Sequence, residues 1–168
     1  HHRMAWIGQH PHVFASTLLA NVRLGRDGMD SEQAIDALRM AGLGSVWENR
    51  GAALIGEHGV GLSGGEASRL ALARLAAKPE ADLILADEPV SALDPVLAQS
   101  SLDALLAQAR TRGSTLIASL HAVELALDRF PRIIGLREGR VQFDSPATAV
   151  TPAMLAARTP AELVTAAL

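Results

Sequence analysis

Short apolar runs alternate with helical patterns along much of this sequence. Residues 83–86 form a continuous apolar run, which is typical of a strand buried on both faces of a parallel sheet. Residues 115–119 predict another buried strand, and residues 4–8 predict a third one near the start. A hairpin is predicted over residues 132–143. Strands that alternate with helices in this way indicate an α/β layer fold.

Two helix start signals have the same spacing. Each signal predicts a capping box, in which a capping side chain stands three residues before a glutamine or glutamate. The two pairs are Asp30 with Gln33 and Ser63 with Glu66. Residues 16–63 carry helical patterns and no strand signal. We therefore expect an all-helical subdomain inserted into the α/β core.

Further cap signals follow in the second half. Asp94 followed by Pro95 predicts the start of a helix that ends near Gly113. Thr151 and Thr159 are each followed by a proline and predict two short tail helices. The predicted organisation is one domain in four parts: a first strand and loop, the helical subdomain, the α/β core and the tail helices, over residues 1–15, 16–63, 64–146 and 147–168.

Composition narrows the range of functions. The chain has 168 residues, of which 49% are hydrophobic and 20% are charged, so it can form the core of one domain. Its formal net charge of -3 provides no basic surface of the kind that binds nucleic acid, and we expect no nucleic-acid partner. The absence of cysteine excludes disulfides and thiolate metal sites. No apolar run reaches the roughly 18 residues that cross a bilayer, so we expect any work at a membrane to be done from the aqueous side.

The start of the clearest helix, residues 62–66, reads Leu-Ser-Gly-Gly-Glu. A capping box alone explains the serine and the glutamate. It does not explain two glycines in the first turn, where each costs about 1 kcal/mol relative to alanine. Free N–H groups at a helix N-terminus can bind phosphate, and glycine permits a close approach. Ordinary capping and phosphate binding are both interpretations of this segment.

Two adjacent carboxylates, Asp87 and Glu88, directly follow an apolar run. Ligands bind at the carboxyl ends of strands in parallel α/β sheets. Asp87 would hold Mg²⁺ through water, and Glu88 would polarise a water that attacks a terminal phosphate. His121 also follows a predicted strand and can hydrogen-bond phosphate or that water, and Gln9 follows the first strand. Each of the four also has an ordinary interpretation as a polar residue that ends a strand.

Taken in order, these motifs resemble those of the ATP-binding cassette (ABC) ATPase family over nearly the whole chain. Gln9 matches the Q-loop of the family and His121 its switch histidine. Residues 62–66 match its signature, residues 83–88 its Walker B strand and residues 91–94 its D-loop. The resemblance implies a RecA-like parallel sheet core with an inserted helical subdomain, and an ATPase that couples hydrolysis to solute transport.

The resemblance also implies ligands and partners. ATP and Mg²⁺ are the implied cofactors, with Glu88 and His121 as catalytic residues and with Asp87 and Gln9 at the metal. The implied nucleotide contacts are Gln9, Leu62, Ser63, Gly64, Gly65, Glu66 and Asp94. Family members work as head-to-tail dimers, so the signature acts on the nucleotide of a second ATPase subunit. A transmembrane permease partner and a position at the cytoplasmic face of the cell membrane are implied as well.

One family motif is missing from the sequence. No phosphate-binding loop of the form Gly-x-x-x-x-Gly-Lys-Ser/Thr occurs, and Lys78, the only lysine, lies outside such a motif. In the family this loop precedes the Q-loop. We therefore expect an N-terminally truncated chain with an incomplete sheet, which by itself neither binds ATP tightly nor hydrolyses it.

Two sets of loops point to different branches of the family. Residues 14–22 and 56–59 resemble exporter-type cassettes, including the cysteine/glutathione exporters. Residues 120–127 and 136–141 resemble phosphonate-importer ATPases. Together they favour transport of a small solute, with the direction open. The alternatives are a non-transport ABC ATPase of DNA repair or translation, and a non-catalytic interaction fragment.

Overall fold

The structure, a computed structural model, describes residues 3–24, 26, 28–78, 81–156 and 163–167. Within these ranges the strands form one sheet, made of β1 (Met4–Ile7), β2 (Leu83–Asp87), β3 (Thr115–Leu120), β4 (Arg132–Arg137), β5 (Arg140–Pro146) and β6 (Leu163–Ala167). The same ranges contain the helices α1 (Leu18–Arg23), α2 (Ser31–Met40), α3 (Gly44–Arg50), α4 (Gly64–Ala76), α5 (Pro95–Arg112), α6 (Val123–Arg129) and α7 (Pro152–Ala156). The predicted α/β class is confirmed.

The sheet is mixed, and its first three strands are parallel. The strand order is β1-β2-β3-β6-β4-β5. β2 pairs in parallel with β1 and β3, whereas β6 runs antiparallel to both of its neighbours, β3 and β4. β4 and β5 form the predicted hairpin, in which the turn residues Glu138 and Gly139 have φ values of 51° and 72°. Positive φ at both turn positions matches the twist of the two strands.

The core lies on one face of the parallel strands. Ile84 and Leu116 are buried on that face, where α4 packs against β1 and α5 packs against β3. On the other face Trp6 is 70% exposed and Leu85 is half-buried. The expectation that residues 83–86 are buried on both faces is therefore wrong for Leu85, and the expectation of a buried strand at residues 4–8 is wrong for Trp6. β1 lies at one edge of the sheet, and α4 and α5 contact each other.

The predicted helical segment is present as α1, α2 and α3: α1 and α2 pack on each other and on α4, and α3 packs on α2. The structure describes no strand between β1 and β2 in the residues that it covers there. Both predicted capping boxes form, that of Asp30 and Gln33 at α2 and that of Ser63 and Glu66 at α4. The sequence pattern does not predict α3, because its cap residue Leu43 makes no side-chain hydrogen bond and so provides no polar start signal.

The C-terminal tail differs from its prediction. α7 forms after Thr151, whose hydroxyl accepts the backbone N–H of Met154 at 3.3 Å. Leu163–Ala167 form β6 instead of a second helix, so that part of the prediction is wrong, while Thr159 lies outside the described residues. The reason is a long-range one: β6 pairs with β3 and β4, and a local threonine–proline signal contains no information about such partners.

Candidate functional site

Four polar residues that were predicted to follow strands lie together at the carboxyl end of the parallel strands. Gln9 comes two residues after β1, Asp87 and Glu88 stand at the end of β2, and His121 follows β3. These strands are adjacent and parallel, so their carboxyl ends meet at one edge of the sheet. This edge is the usual place for a ligand in such sheets. The chemical roles of the four residues stay predictions.

The carboxylate of Glu88 lies between two of these residues. Gln9 donates a hydrogen bond from Nε2 to Oε2 of Glu88 at 2.8 Å, and Nε2 of His121 contacts Oε1. The side chain of Glu88 is 14% exposed and that of His121 is 56% exposed. The φ of Glu88 is 45°, in the left-handed region that non-glycine residues seldom adopt. A carboxylate that is held from both sides and still reaches solvent can accept a proton from water, which is the task of a general base.

One residue of this site, Ser119, was not predicted from the sequence. It pairs in register with Asp87 on the neighbouring strand. Its hydroxyl donates to Oδ1 of Asp87 at 2.6 Å and accepts the backbone N–H of Glu88 at 2.9 Å. The sequence signal for Ser119 is its position one residue before the end of β3. That signal has meaning only once β2 and β3 are known to be parallel neighbours. Together these residues form the Glu88 cluster, which consists of Gln9, Asp87, Glu88, Ser119 and His121.

The predicted signature segment lies apart from the Glu88 cluster. α4 begins at Gly64, where the N–H of Ser63 donates to Oε2 of Glu66 at 2.7 Å and the N–H of Glu66 donates to Oγ of Ser63 at 3.2 Å. Leu62 is half-buried against the core. Among the described residues, no hydrogen bond or ion pair joins this segment to the cluster. Residues 63–66 are exposed or half-buried, so the start of α4 is accessible.

The two signature glycines have different surroundings. A Cβ on Gly65 would lie 3.2 Å from Cδ2 of Leu93 and 3.4 Å from the carbonyl oxygen of Ala92, so packing against the same chain explains this glycine. A Cβ on Gly64 would have no neighbouring atom within 4 Å, so packing does not explain this glycine. Asp94, which follows Leu93, caps the start of α5 with its side chain. Nucleotide contacts of these residues stay predictions.

A cavity of about 720 Å³ opens beside Glu88 and His121. Its volume lies within the range of about 300–1,000 Å³ that is common for small-molecule sites. Among the described residues, the carboxylates of Glu88, Glu124 and Asp128 line the cavity, and no lysine or arginine does. A triphosphate would therefore need a cation, or basic groups from elsewhere, in order to bind here.

Lys78 is placed far from this cavity in the fold. Its Nζ donates to the carbonyl oxygen of Met4 at 2.5 Å, at the amino end of β1. The Glu88 cluster lies at the carboxyl end of the same strands. Lys78 therefore does not serve this site as a phosphate-binding lysine, in agreement with its sequence context.

Asp87 and Gln9 can bind Mg²⁺ in the way that proteins commonly do. In the described part of the chain, no group of three or more histidine, cysteine, aspartate or glutamate side chains could enclose a metal ion. Mg²⁺ does not need such an enclosure, because it keeps several waters and binds one or two carboxylates together with phosphate oxygens. Asp87 fits this mode, because the hydroxyl of Ser119 holds its carboxylate through Oδ1 and a carboxylate has further lone pairs for a cation. Gln9 binds Glu88 through Nε2, which leaves its carbonyl oxygen for a cation.

These features define an α/β protein with an acidic ligand site at the carboxyl ends of its parallel strands. A family model described as ABC transporter matches residues 1–91, which is more than half of the chain. The chain belongs to the ABC transporter family, and the resemblance inferred from its motifs is confirmed.

Relatives of this chain have names that fit this family. The phosphonates import ATP-binding protein PhnC of Pseudomonas entomophila (strain L48) is 60% identical over 94 residues, which cover 56% of this chain and 35% of that protein. PhnC 2 of Albidiferax ferrireducens is 56% identical over 96 residues, which cover 57% of this chain and 34% of that protein. The chain thus matches about a third of the length of these relatives. A solved structure of a bacterial Atm1-family ABC exporter with ATP bound matches the fold with a TM-score of 0.79 at 26% identity. The match covers 94% of this chain and 27% of the exporter chain.

Proposed function

We propose that this chain is part of the ATP-binding subunit of a phosphonate importer. The observation that carries the proposal is the 60% identity to a protein named for phosphonate import. The exporter shares the fold at only 26% identity, so it is weaker evidence for the direction of transport than the import protein is. Import is therefore favoured over export, and transport is favoured over DNA repair or translation. A non-catalytic role is not favoured either, because Glu88 is in contact with both Gln9 and His121.

In this proposal the Glu88 cluster hydrolyses ATP. Glu88 takes the proton of the attacking water, and His121 hydrogen-bonds the terminal phosphate or that water. Asp87 and Gln9 bind Mg²⁺, which neutralises phosphate charge when it is bound. The contacts of Gln9 and His121 with the two oxygens of Glu88 support this assignment, since they place all three groups within reach of one water molecule.

The signature residues 62–66 and Asp94 are proposed to act across a dimer interface. The start of α4 is accessible and has no contact with the Glu88 cluster among the described residues, so it is suited to a phosphate held by another subunit. A second ATPase subunit, placed head to tail, would present its nucleotide there. The basic groups that the cavity lacks would come from a phosphate-binding loop elsewhere in the full-length protein.

A transmembrane permease partner and a position at the cytoplasmic face of the membrane complete the proposal. Both are supported by relatives named as import proteins. Among the described residues, no helix is both long enough and apolar enough to cross a membrane.

Growth on a phosphonate tests the proposed function. The full-length gene is deleted in its source organism, which is then supplied with methylphosphonate or inorganic phosphate as its only phosphorus source. We expect loss of growth on methylphosphonate and normal growth on phosphate, with rescue by the wild-type gene. Uptake of labelled methylphosphonate at the wild-type rate in the deletion strain would contradict phosphonate import.

A further inference from the structure

The hydroxyl of Ser119 contacts both acidic residues of the Glu88 cluster. It lies between Oδ1 of Asp87, at 2.6 Å, and the backbone nitrogen of Glu88, at 2.9 Å. The direction of both bonds is fixed by chemistry. A carboxylate can only accept and a backbone N–H can only donate, so the single hydroxyl proton goes to Asp87 and a lone pair receives the N–H of Glu88.

Register explains why one hydroxyl reaches both residues. Asp87 and Ser119 are paired on adjacent parallel strands, so their side chains leave the sheet on the same face. β2 ends at Asp87, and the chain turns at Glu88 with a φ of 45°. The bond from Ser119 therefore holds the peptide group that links the two acidic residues, at the point where the backbone enters an uncommon conformation.

We propose that Ser119 is a positioning residue that holds Asp87 and Glu88 at a fixed mutual distance and orientation. This inference rests on the proposed function, in which Asp87 binds Mg²⁺ and Glu88 activates water. Ser119 touches neither nucleotide nor water in this account. It acts through the two carboxylates, because a metal ligand and a general base work only when both stand in the correct geometry relative to one phosphate.

The first arm of the test measures geometry in the 168-residue chain itself. Amide hydrogen exchange of Glu88 is followed by NMR in wild type, Ser119→Ala, Ser119→Thr and Ser114→Ala. Ser114 is the matched control, because its buried hydroxyl donates to the carbonyl oxygen of Ala81 at 2.5 Å, next to the opposite end of β3. We expect the amide of Glu88 to exchange about fivefold faster in Ser119→Ala and at the wild-type rate in the other variants. Only Ser119→Ala lacks the hydroxyl oxygen that accepts this N–H.

The second arm measures catalysis in the full-length protein. Ser119→Ala should lower kcat for ATP hydrolysis about tenfold with KM for ATP within about twofold, and Ser119→Thr should restore kcat because threonine keeps the hydroxyl. Ser114→Ala should keep the wild-type kcat even if its melting temperature falls. If Ser119 had only a structural role, Ser119→Ala would behave like Ser114→Ala: its stability would fall and its kcat would not change.

The outcomes separate this inference from the proposed function. Unchanged exchange at Glu88 in Ser119→Ala overturns the positioning role, whatever the enzyme does. Unchanged kcat in Ser119→Ala also overturns it, provided that the wild type hydrolyses ATP. If the full-length wild type does not hydrolyse ATP, the proposed function fails, and the exchange arm still decides whether Ser119 holds Glu88.

Discussion

At the residue scale, the backbone and the side chain of Glu88 are held separately. Its carbonyl oxygen accepts the N–H of Ser91 at 3.2 Å and the hydroxyl of Ser91 at 3.1 Å, while Ser119 accepts its N–H. Its carboxylate meets Gln9 and His121. A left-handed backbone costs a non-glycine residue about 1–2 kcal/mol, so these bonds offset a real penalty. Such conformations persist mainly where the surrounding structure holds them, and they are concentrated at functional sites.

Replacement of Glu88 by glutamine tests its role as general base. In the full-length protein, Glu88→Gln should lower kcat for ATP hydrolysis at least about 100-fold, because an amide has nearly the same size but cannot accept the proton of water. Calorimetry should find the affinity for ATP within about twofold of wild type. The matched control is Glu48→Gln, which changes an exposed glutamate on α3 and should hydrolyse ATP normally. Hydrolysis by Glu88→Gln near the wild-type rate would rule out this role.

At the scale of elements, Arg74 joins α4 to α1 and to the loop after β1. Its guanidinium donates to the carbonyl oxygen of His12 at 2.5 Å, and to the backbone and side-chain oxygens of Asn21 at 2.9 Å and 2.6 Å. It also lies over the ring of Phe14, with 5.6 Å from Cζ to the centroid. Burial lowers the pKa of Arg74 and the charge of Arg26 lowers it further, yet a guanidinium stays charged at neutral pH. This one side chain therefore fixes how the segment after Gln9 sits on the signature helix.

Loss of Arg74 should be costly for stability. Arg74→Met should lower the free energy of unfolding by about 2 kcal/mol, because the 1% exposed Asn21 would lose a charged donor to its buried oxygen. Urea unfolding of the chain, followed by circular dichroism, measures this change. In the control Arg39→Met, an exposed pair with Asp36 is removed, and the change should stay within about 0.5 kcal/mol. An equally small effect of Arg74→Met would show that the three bonds contribute little.

At the scale of the whole molecule, the charges around the cavity limit what the chain does alone. Glu88, Glu124 and Asp128 line the cavity, and Lys78 is bound at the other end of the sheet. The Glu88 cluster can position a cation and a water, but these groups do not neutralise a triphosphate. Tight nucleotide binding thus depends on basic groups that the described residues do not bring to the cavity.

The chain by itself should not bind nucleotide tightly. Calorimetric titration of the 168-residue chain with Mg-ATP should give a Kd weaker than about 1 mM, because the phosphates would meet an acidic lining without a lysine. The full-length protein is the positive control. Micromolar binding by the isolated chain would mean that another segment holds the phosphates, and the assignment of the site would have to change.

Much of the candidate site could be predicted because its residues follow recognisable strands. The pattern located Gln9, Asp87, Glu88 and His121 one by one, and the parallel order of β1, β2 and β3 brings them together. Ser119 could not be predicted as a site residue, because a serine at the end of an apolar run has no distinguishing local feature. Its two hydrogen bonds join it to Asp87 on another strand and to Glu88 directly after that strand. The division of the chain at residues 15, 63 and 146 stays a prediction.

The sequence alone determined those features that depend on near neighbours in the chain. Capping boxes, the proline at the start of α5 and the turn at Glu138 each involve residues a few positions apart, so local chemistry is sufficient for them. Only the tertiary structure decided which strands are neighbours. It placed β6 between β3 and β4 and left β1 at an exposed edge. Pairing and burial depend on contacts between segments that are distant in sequence, and the intrinsic preference of a short segment is too weak to determine them.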